Sequence, residues 1–321
     1  MEVRELQIGT RVQAPLLVRE ARSRRLRDGG ELLTLRLADR TGTLAAVVFE
    51  DVDAAREACR AGAVVHVCGV LSEDERFGTR LVVESVRPAA EGEYEPRALV
   101  DGPERPVELL EQDLRELLAT IQRPCLRELL DEVLGESSET WARFRDAPAA
   151  KHYHQAYRGG LLEHSLTVTQ AVSAISATFG SIDRDVAVAG ALLHDIGKLD
   201  AYELRGEAIE MSDDGRLYGE IPLGYFRIRT AIEACEDFPA DVAQALLHII
   251  LSHHGALEHG SPVVPATREA ALVHGVDTLG ARLGSFDRVE KTLADGQQWS
   301  GFDKALGGGA YFSAVRLGRA A

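Results

Sequence analysis

The chain has 321 residues, 45% of them hydrophobic and 27% charged, with a formal net charge of −15. That length accommodates two domains, and that apolar fraction excludes a disordered chain. The acidic balance excludes a uniformly basic nucleic-acid coat, and no run approaches the ~18 unbroken apolar residues of a membrane span.

The charge is unevenly spread. Residues 1–90 hold 14 Lys and Arg against 14 Asp and Glu, whereas 91–321 hold 22 against 37, so a boundary is expected near residue 90. The opening MEVRELQIGT is polar, which argues against a secretory leader. Cys59, Cys68, Cys125 and Cys235 lack CxxC spacing and read as reduced thiols of a cytoplasmic protein.

Runs rich in β-branched residues occupy 12–26, 30–50, 63–72 and 79–89, with turn signals at 28–30, 39–42 and 73–78 and one short helix at 51–62. The pattern predicts a small five-stranded barrel of the OB type over residues 1–90. Its segment LTLRLADRTGTLAAVVFE resembles nucleic-acid-binding OB domains, whose hairpins carry a similar D-x-T-G turn. Arg19, Arg22, Arg24, Arg25 and Arg27 crowd the first strand. They read equally as a phosphate-tracking edge for a single strand and as charges that keep an edge strand from aggregating. The barrel has only Phe49 and Phe77 for base stacking.

Residues 91–106, rich in Pro, Gly and Glu, read as a linker. Helical periodicity follows at 107–121 and 125–135. Within 140–165, Gly159-Gly160 bends the chain before a helix that begins near Leu161. There His164 shares a face with Val168, Val172 and Ile175. His152, His154 and Arg158 precede it in a loop, as phosphate contacts or as plain surface residues. A helix over 181–200 carries ALLHDIGKLD behind an apolar run. Its His194 and Asp195 either end a helix or share a metal, since a buried imidazole beside a buried carboxylate needs a partner. Lys198 reads as a phosphate contact or as a charge facing the helix dipole.

Residues 201–224 read as a hairpin or loop turning at Gly215, with Glu220 at the start of a new helix. The next helix ends at Gly255 and puts His253, beside His254, on the face of Leu246 and Ile249. A helix at 267–283 places Asp277 with Ala270, Val273 and His274. From 284 onward a loop, a short strand or a tail is expected. Ligand-type side chains thus recur on the inner faces of four helices, which a bundle can point at one axis.

The pattern H…HD…D resembles the HD superfamily of metal-dependent phosphohydrolases. AAKHYHQAYRGGLLEHSL, ALLHDIGKL and LLHIILSHHGALEHGSPVVPATREAALVHGVDTL resemble the YhaM family, 3′→5′ exoribonucleases that join an N-terminal OB-fold to an HD domain. The resemblance implies a β + α chain of several domains: an OB-type barrel at 1–90, a linker at 91–106, an all-α HD-type helical domain at 107–310 and a tail at 311–321. It implies His164, His194, Asp195 and Asp277 as ligands of the principal metal, and His253 and His254 around a second. The family carries His where this chain has Glu220, and Asp where it has Gly280. Glu220 either supplies an oxygen ligand, which favours Mn²⁺ or Mg²⁺, or weakens the second site.

One or two ions are expected, Mn²⁺ first and Mg²⁺, Co²⁺ or Fe²⁺ after it. Two ions about 3.5–4 Å apart would activate water and stabilise the leaving oxygen, with Asp195 between them. Asp195 and Lys198 are the catalytic candidates; Arg158, His154, Arg22 and Arg24 are candidates for binding substrate. The expected partners are single-stranded RNA or DNA, no membrane, and further copies of the chain as a homo-oligomer. The competing functions are a small-nucleotide phosphohydrolase, such as a dNTPase or alarmone hydrolase, and a non-catalytic single-strand binder.

Overall fold

The computed structural model describes residues 2–25, 30–74, 77–90, 92–100, 102–103, 105–151, 155–205, 208–291, 293 and 296–313. The turn expected at 28–30 and the tail expected at 311–321 fall mostly outside them. The chain divides into two compact units. One comprises residues 1–101 with 204–209 and 291–295, and the other comprises the remainder.

In the first unit β1 (Arg11–Arg25), β2 (Glu31–Asp39), β3 (Gly42–Val48), β4 (Val64–Asp74) and β5 (Gly78–Pro88) close a barrel in the order β1-β2-β3-β5-β4. Neighbours run antiparallel except β3 and β5, which pair in parallel. The two-residue period of a strand turns Leu33, Leu35 and Leu37 inward from β2 and Val65, Val67 and Leu71 inward from β4. The helix α1 (Val52–Ala58) connects β3 to β4 and adds Ala55 to this core. The D-x-T-G hairpin is built by Asp39. Its Oδ1 accepts from Thr41 N at 2.7 Å and Gly42 N at 3.0 Å, and its Oδ2 accepts from Val3 N at 2.7 Å.

Closure depends on a bulge at Cys68/Gly69, where β4 slips against β5. A Cβ on Gly69 would stand 2.3 Å from the carbonyl oxygen of Val82. Gly69→Val is therefore expected to destabilise the chain by about 3 kcal/mol, read as a lower urea midpoint. An unchanged midpoint would contradict the close approach. Beyond β5, Pro96–Leu99 forms one helical turn, α2; Leu99 is buried and Ala98 O accepts from Arg40 N at 3.0 Å.

The second unit is helical: α3 (Val107–Leu118), α4 (Pro124–Leu134), α5 (Glu139–Asp146), α6 (Gly160–Ser176), α7 (Arg184–Leu193) and α8 (Lys198–Ala201) come first. In chain order a hairpin of β6 (Tyr202–Arg205) and β7 (Ala208–Met211) follows, whose residues 204–209 are counted with the first unit, and then α9 (Asp213–Tyr218), α10 (Glu220–Ala234), α11 (Ala240–Ser252) and α12 (Arg268–Glu290). Every residue of α7 from Asp185 to Leu193 is buried, and α6, α11 and α12 pack against it. The buried Asp185 has a local reason: it accepts the N–H groups of Gln122 at 2.7 Å and Arg123 at 2.8 Å, where α4 begins.

Four expectations are corrected. The helix expected over 181–200 breaks at 194–197, where tight three-residue turns, Ile196 N to Leu193 O at 3.1 Å and Lys198 N to Asp195 O at 3.0 Å, replace the four-residue ladder. The hairpin in 201–224 forms, but Gly215 lies in α9, where Ser212 caps the helix by accepting from Gly215 N. The segment 140–165 contains a further helix, α5, capped by Ser138 and anchored by buried Trp141 and Phe144. Finally, α12 continues to Glu290 because Ser285 and Val289 extend its buried stripe.

Candidate metal centre

His164 comes from α6, and His194 and Asp195 from the turn that closes α7. Asp277 comes from α12. His164 Nε2 stands 3.2 Å from His194 Nε2, 3.2 Å from Asp195 Oδ2 and 3.2 Å from Asp277 Oδ1. His194 Nε2 is 3.3 Å from Asp195 Oδ2 and 3.8 Å from Asp277 Oδ1. Residues 113 positions apart in sequence thus meet because α6, α12 and the turn that closes α7 bring four polar side chains into the buried centre of the bundle.

A second group adjoins the first through Asp195. Its Oδ1 lies 3.5 Å from His253 Nε2, and His254 Nε2 lies 3.4 Å from Glu220 Oε1. Candidate ligand atoms of Asp195, Glu220, His253 and His254 all fall within 4.8 Å of one another, as do those of His164, His194 and Asp277. Gly197 makes this possible: a Cβ there would stand 2.0 Å from the carbonyl oxygen of Glu220 and 2.4 Å from Gly224 N. Only glycine lets the His-Asp turn lie against the start of α10.

The proton positions follow from the partners. His194 Nδ1 faces Ala191 O at 2.6 Å, His253 Nδ1 faces Ile250 O at 2.8 Å and His254 Nδ1 faces His259 O at 2.9 Å. A carbonyl only accepts, so each Nδ1 carries the proton and each Nε2 of the neutral ring is bare. Bare nitrogens and carboxylates, all acceptors, then crowd one buried volume. Either protons or a cation must lie between them. Burial disfavours a charge on His164, but hydrogen bonds to Asp195 and Asp277 outweigh it and raise its pKa to about 9. Burial lowers that of His253, keeping the ring neutral. Burial works against the ionised forms of Asp195 and Asp277, yet both stay below the usual carboxylate range; Lys198 and His194 hold Asp195 there, and His164 and His194 hold Asp277.

Among the described residues, Asp195 Oδ1 and His253 Nε2 are buried side-chain atoms with no hydrogen-bond partner. Two orphaned acceptors facing each other across 3.5 Å fit a cation held between them, as part of a group of four ligand-type side chains. The donor set, imidazole nitrogens with carboxylate oxygens, suits a divalent ion of borderline or hard character.

The other predicted residues fall elsewhere. Lys198 Nζ is held 2.7 Å from Asp195 Oδ2, so its charge is spent on that carboxylate. Arg158 pairs with Asp146 at 2.9 Å. Arg22 and Arg24 are exposed on β1 of the barrel unit, Arg22 with Glu20 at 3.0 Å. His152, His154 and Arg27 lie outside the described residues. Gly280 faces open space on α12.

Two networks had no sequence signal. Gln155, Tyr157 and Glu163 gather beside His164; an irregular loop has no period to betray them. Asp200, just past the His-Asp turn, receives Arg227 Nη2 at 2.7 Å and Arg143 Nη2 at 3.0 Å. Burial works against its charge, but the two guanidinium groups keep its carboxyl below the usual range. A depressed carboxyl stabilises the fold above its unfolded pKa and loses that contribution as pH falls through the folded value. Asp200→Asn is therefore expected to cost about 2 kcal/mol at neutral pH and to make stability less sensitive to acid below about pH 4. Parallel acid titrations of variant and wild type would contradict this.

Known proteins share both halves. Residues 17–89 match the family model for an OB-fold nucleic acid binding domain, and residues 161–282 match that for the HD domain. Over 294 residues the chain is 28% identical to the 3′-5′ exoribonuclease YhaM of Geobacillus sp. (strain WCH70), covering 91% of this chain and 88% of that protein. Against the 3′-5′ exoribonuclease YhaM of Bacillus subtilis (strain 168) the identity is 27% over 295 residues, 91% of each chain. Among solved structures, the second OB-fold domain of replication protein A from Methanococcus maripaludis aligns at 21% identity and a TM-score of 0.24, over 30% of this chain and 98% of that one.

Proposed function

We propose that this chain, an OB-fold and HD protein that resembles the YhaM exoribonucleases along 91% of its length, is a divalent-metal-dependent 3′→5′ exonuclease of single-stranded RNA. The observation that carries the reading is the meeting of His164, His194, Asp195 and Asp277 at 3.2–3.8 Å inside a buried bundle. The RNA substrate and the 3′ polarity come from the resemblance.

His164, His194, Asp195 and Asp277 would hold the principal ion, and Asp195, Glu220, His253 and His254 a second. A divalent ion so held supplies an acidified water and neutralises charge that builds on the phosphoryl oxygens. Asp195 offers one oxygen to each group. Lys198 keeps that carboxylate ionised; to contact a phosphate it would have to share its ammonium with Asp195. Arg158 would have to leave Asp146 to reach a phosphate. We assign Mn²⁺ as the ion, supported by the mix of imidazoles with three carboxylates.

The barrel would hold the single strand. Arg22 and Arg24 stand exposed for phosphates, and the guanidinium of Arg80 lies 6.0 Å from the exposed Phe49 ring and 5.0 Å from the exposed Phe77 ring, an arrangement suited to bases. Single-stranded DNA is a second substrate on the same chemistry. Self-association is supported by exposed Leu217, Tyr218 and Phe226. A cytoplasmic setting is supported by four free thiols, and no helix among the described residues is long and apolar enough to cross a membrane.

The test is a 5′-labelled single-stranded RNA incubated with Mn²⁺. Progressive shortening by the wild type, and none by His194→Ala, is expected. An intact strand alongside hydrolysis of free nucleotides would overturn the reading in favour of a small-nucleotide phosphohydrolase.

A further inference from the structure

Four imidazoles present Nε2 to the two ligand groups, and three of them are oriented by backbone. Carbonyls of Ala191, Ile250 and His259 take the Nδ1 protons of His194, His253 and His254. His164 is the exception: its Nδ1 meets a side chain, Gln155 Oε1, at 3.1 Å. Gln155 stands nine residues earlier, in the loop that precedes α6.

The amide is itself fixed. Gln155 Nε2 donates to Glu163 Oε2 at 3.3 Å, and the same carboxylate oxygen accepts the Tyr157 hydroxyl. A carboxylate only accepts, so the NH₂ end faces Glu163 and the carbonyl end faces His164. The backbone is pinned as well. Gln155 sits at φ +56, a conformation with a cost for any residue bearing a Cβ. Its carbonyl accepts from Ala149 N at 3.1 Å, and a Cβ on Gly160 would stand 2.1 Å from that oxygen. Such over-determination of an unfavourable conformation is the mark of a position held for a purpose.

We propose that Gln155, locked by Glu163 and Tyr157, is the positioning residue that holds His164 with its proton on Nδ1 and its Nε2 lone pair turned to Asp195 and Asp277, and so sets the metal affinity of that group. The proposal rests on the metal reading above. Partners of this kind orient a ligating imidazole, and their loss typically costs about 10–100-fold in metal affinity. A loop tether alone would change stability and leave metal binding untouched.

Calorimetric titration of the metal-free full-length chain with Mn²⁺ separates the two. Gln155→Met keeps the length and the unbranched Cβ but replaces the amide oxygen by a weakly accepting thioether; it is expected to weaken Mn²⁺ binding about 10–100-fold. The paired exchange Gln155→Glu with Glu163→Gln restores a partner for every group. The introduced carboxylate accepts from His164 and from the introduced amide, whose second N–H is donated to the Tyr157 hydroxyl oxygen, because one atom of residue 163 meets both neighbours. Its affinity is expected within about threefold of wild type. Wild-type affinity in Gln155→Met, or an exchange variant as weak as Gln155→Met, would overturn the proposal while leaving the metal reading intact. Absence of Mn²⁺ binding in the wild type would overturn both. Should Gln155→Met lower the metal-free melting temperature, Glu163→Gln carries the test, because it frees the Gln155 amide to turn its NH₂ toward His164. Weaker binding is expected there, and unchanged binding would overturn the proposal.

Discussion

Asp195→Asn is expected to lower kcat on single-stranded RNA about a thousandfold or more while leaving the chain folded. Asp195 faces both ligand groups: its Oδ2 lies 3.2 Å from His164 Nε2 and 3.3 Å from His194 Nε2, and its Oδ1 lies 3.5 Å from His253 Nε2. An amide of the same shape replaces one acceptor by an NH₂ donor and removes the charge. Losing about 4 kcal/mol of charge stabilisation corresponds to about three powers of ten in rate. The fold survives because Lys198, which bonds Asp195 Oδ2 at 2.7 Å, also feels Glu220 and Asp277. Its ammonium therefore keeps carboxylates nearby. Single-turnover rates with a thermal melt on the same sample check this. A folded variant with more than about a tenth of the wild-type rate would contradict it.

Chelation of divalent ions is expected to abolish hydrolysis and to lower the melting temperature, because an ion that binds only the folded chain stabilises it by mass action. Restoring Mn²⁺ to about a hundred times its Kd should return about 2.7 kcal/mol, some 5–10 °C for a cooperative unit of about 200 residues, the size of the helical one. Acidity opposes the ion through His164. Its folded pKa, about 9, exceeds the ordinary imidazole value of about 6.5. The proton therefore stabilises the metal-free fold fully below about pH 6.5, and that contribution is lost as pH rises through about 9. The ion must displace that proton, so Mn²⁺ affinity should rise with pH across this window, by up to about tenfold per unit. A melting temperature indifferent to chelator, or an affinity flat between pH 6.5 and 9, would contradict the account.

What the sequence disclosed and what it hid have a common physical basis. His164, Asp277 and His253 were legible because each shares an apolar face with residues three or four positions away, and helical periodicity carries that information. The barrel was legible from alternation and from the Asp39 turn. Gln155 was not, because it lies in a loop whose geometry depends on Ala149, Gly160 and Glu163, none of them at a regular spacing. Nor could spacing show that Lys198 turns back on Asp195, or that Arg158 closes on Asp146; an ion pair depends on which helix ends meet. Gly197 read as part of a motif, yet its reason is a steric one, the backbone of Glu220 and Gly224 lying where a side chain would stand. Periodicity also stopped short at α12, whose glycines at 275, 280 and 284 blur an apolar stripe that continues to Val289.

The central claim is that distant imidazoles and carboxylates grip a cation at the heart of the helical unit. A crystal of the full-length chain grown with Mn²⁺ and measured at the manganese absorption edge addresses it directly. The expected result is an anomalous peak in contact with His164 Nε2, His194 Nε2, Asp195 and Asp277. A map from catalytically active protein without a peak among those four residues would contradict it.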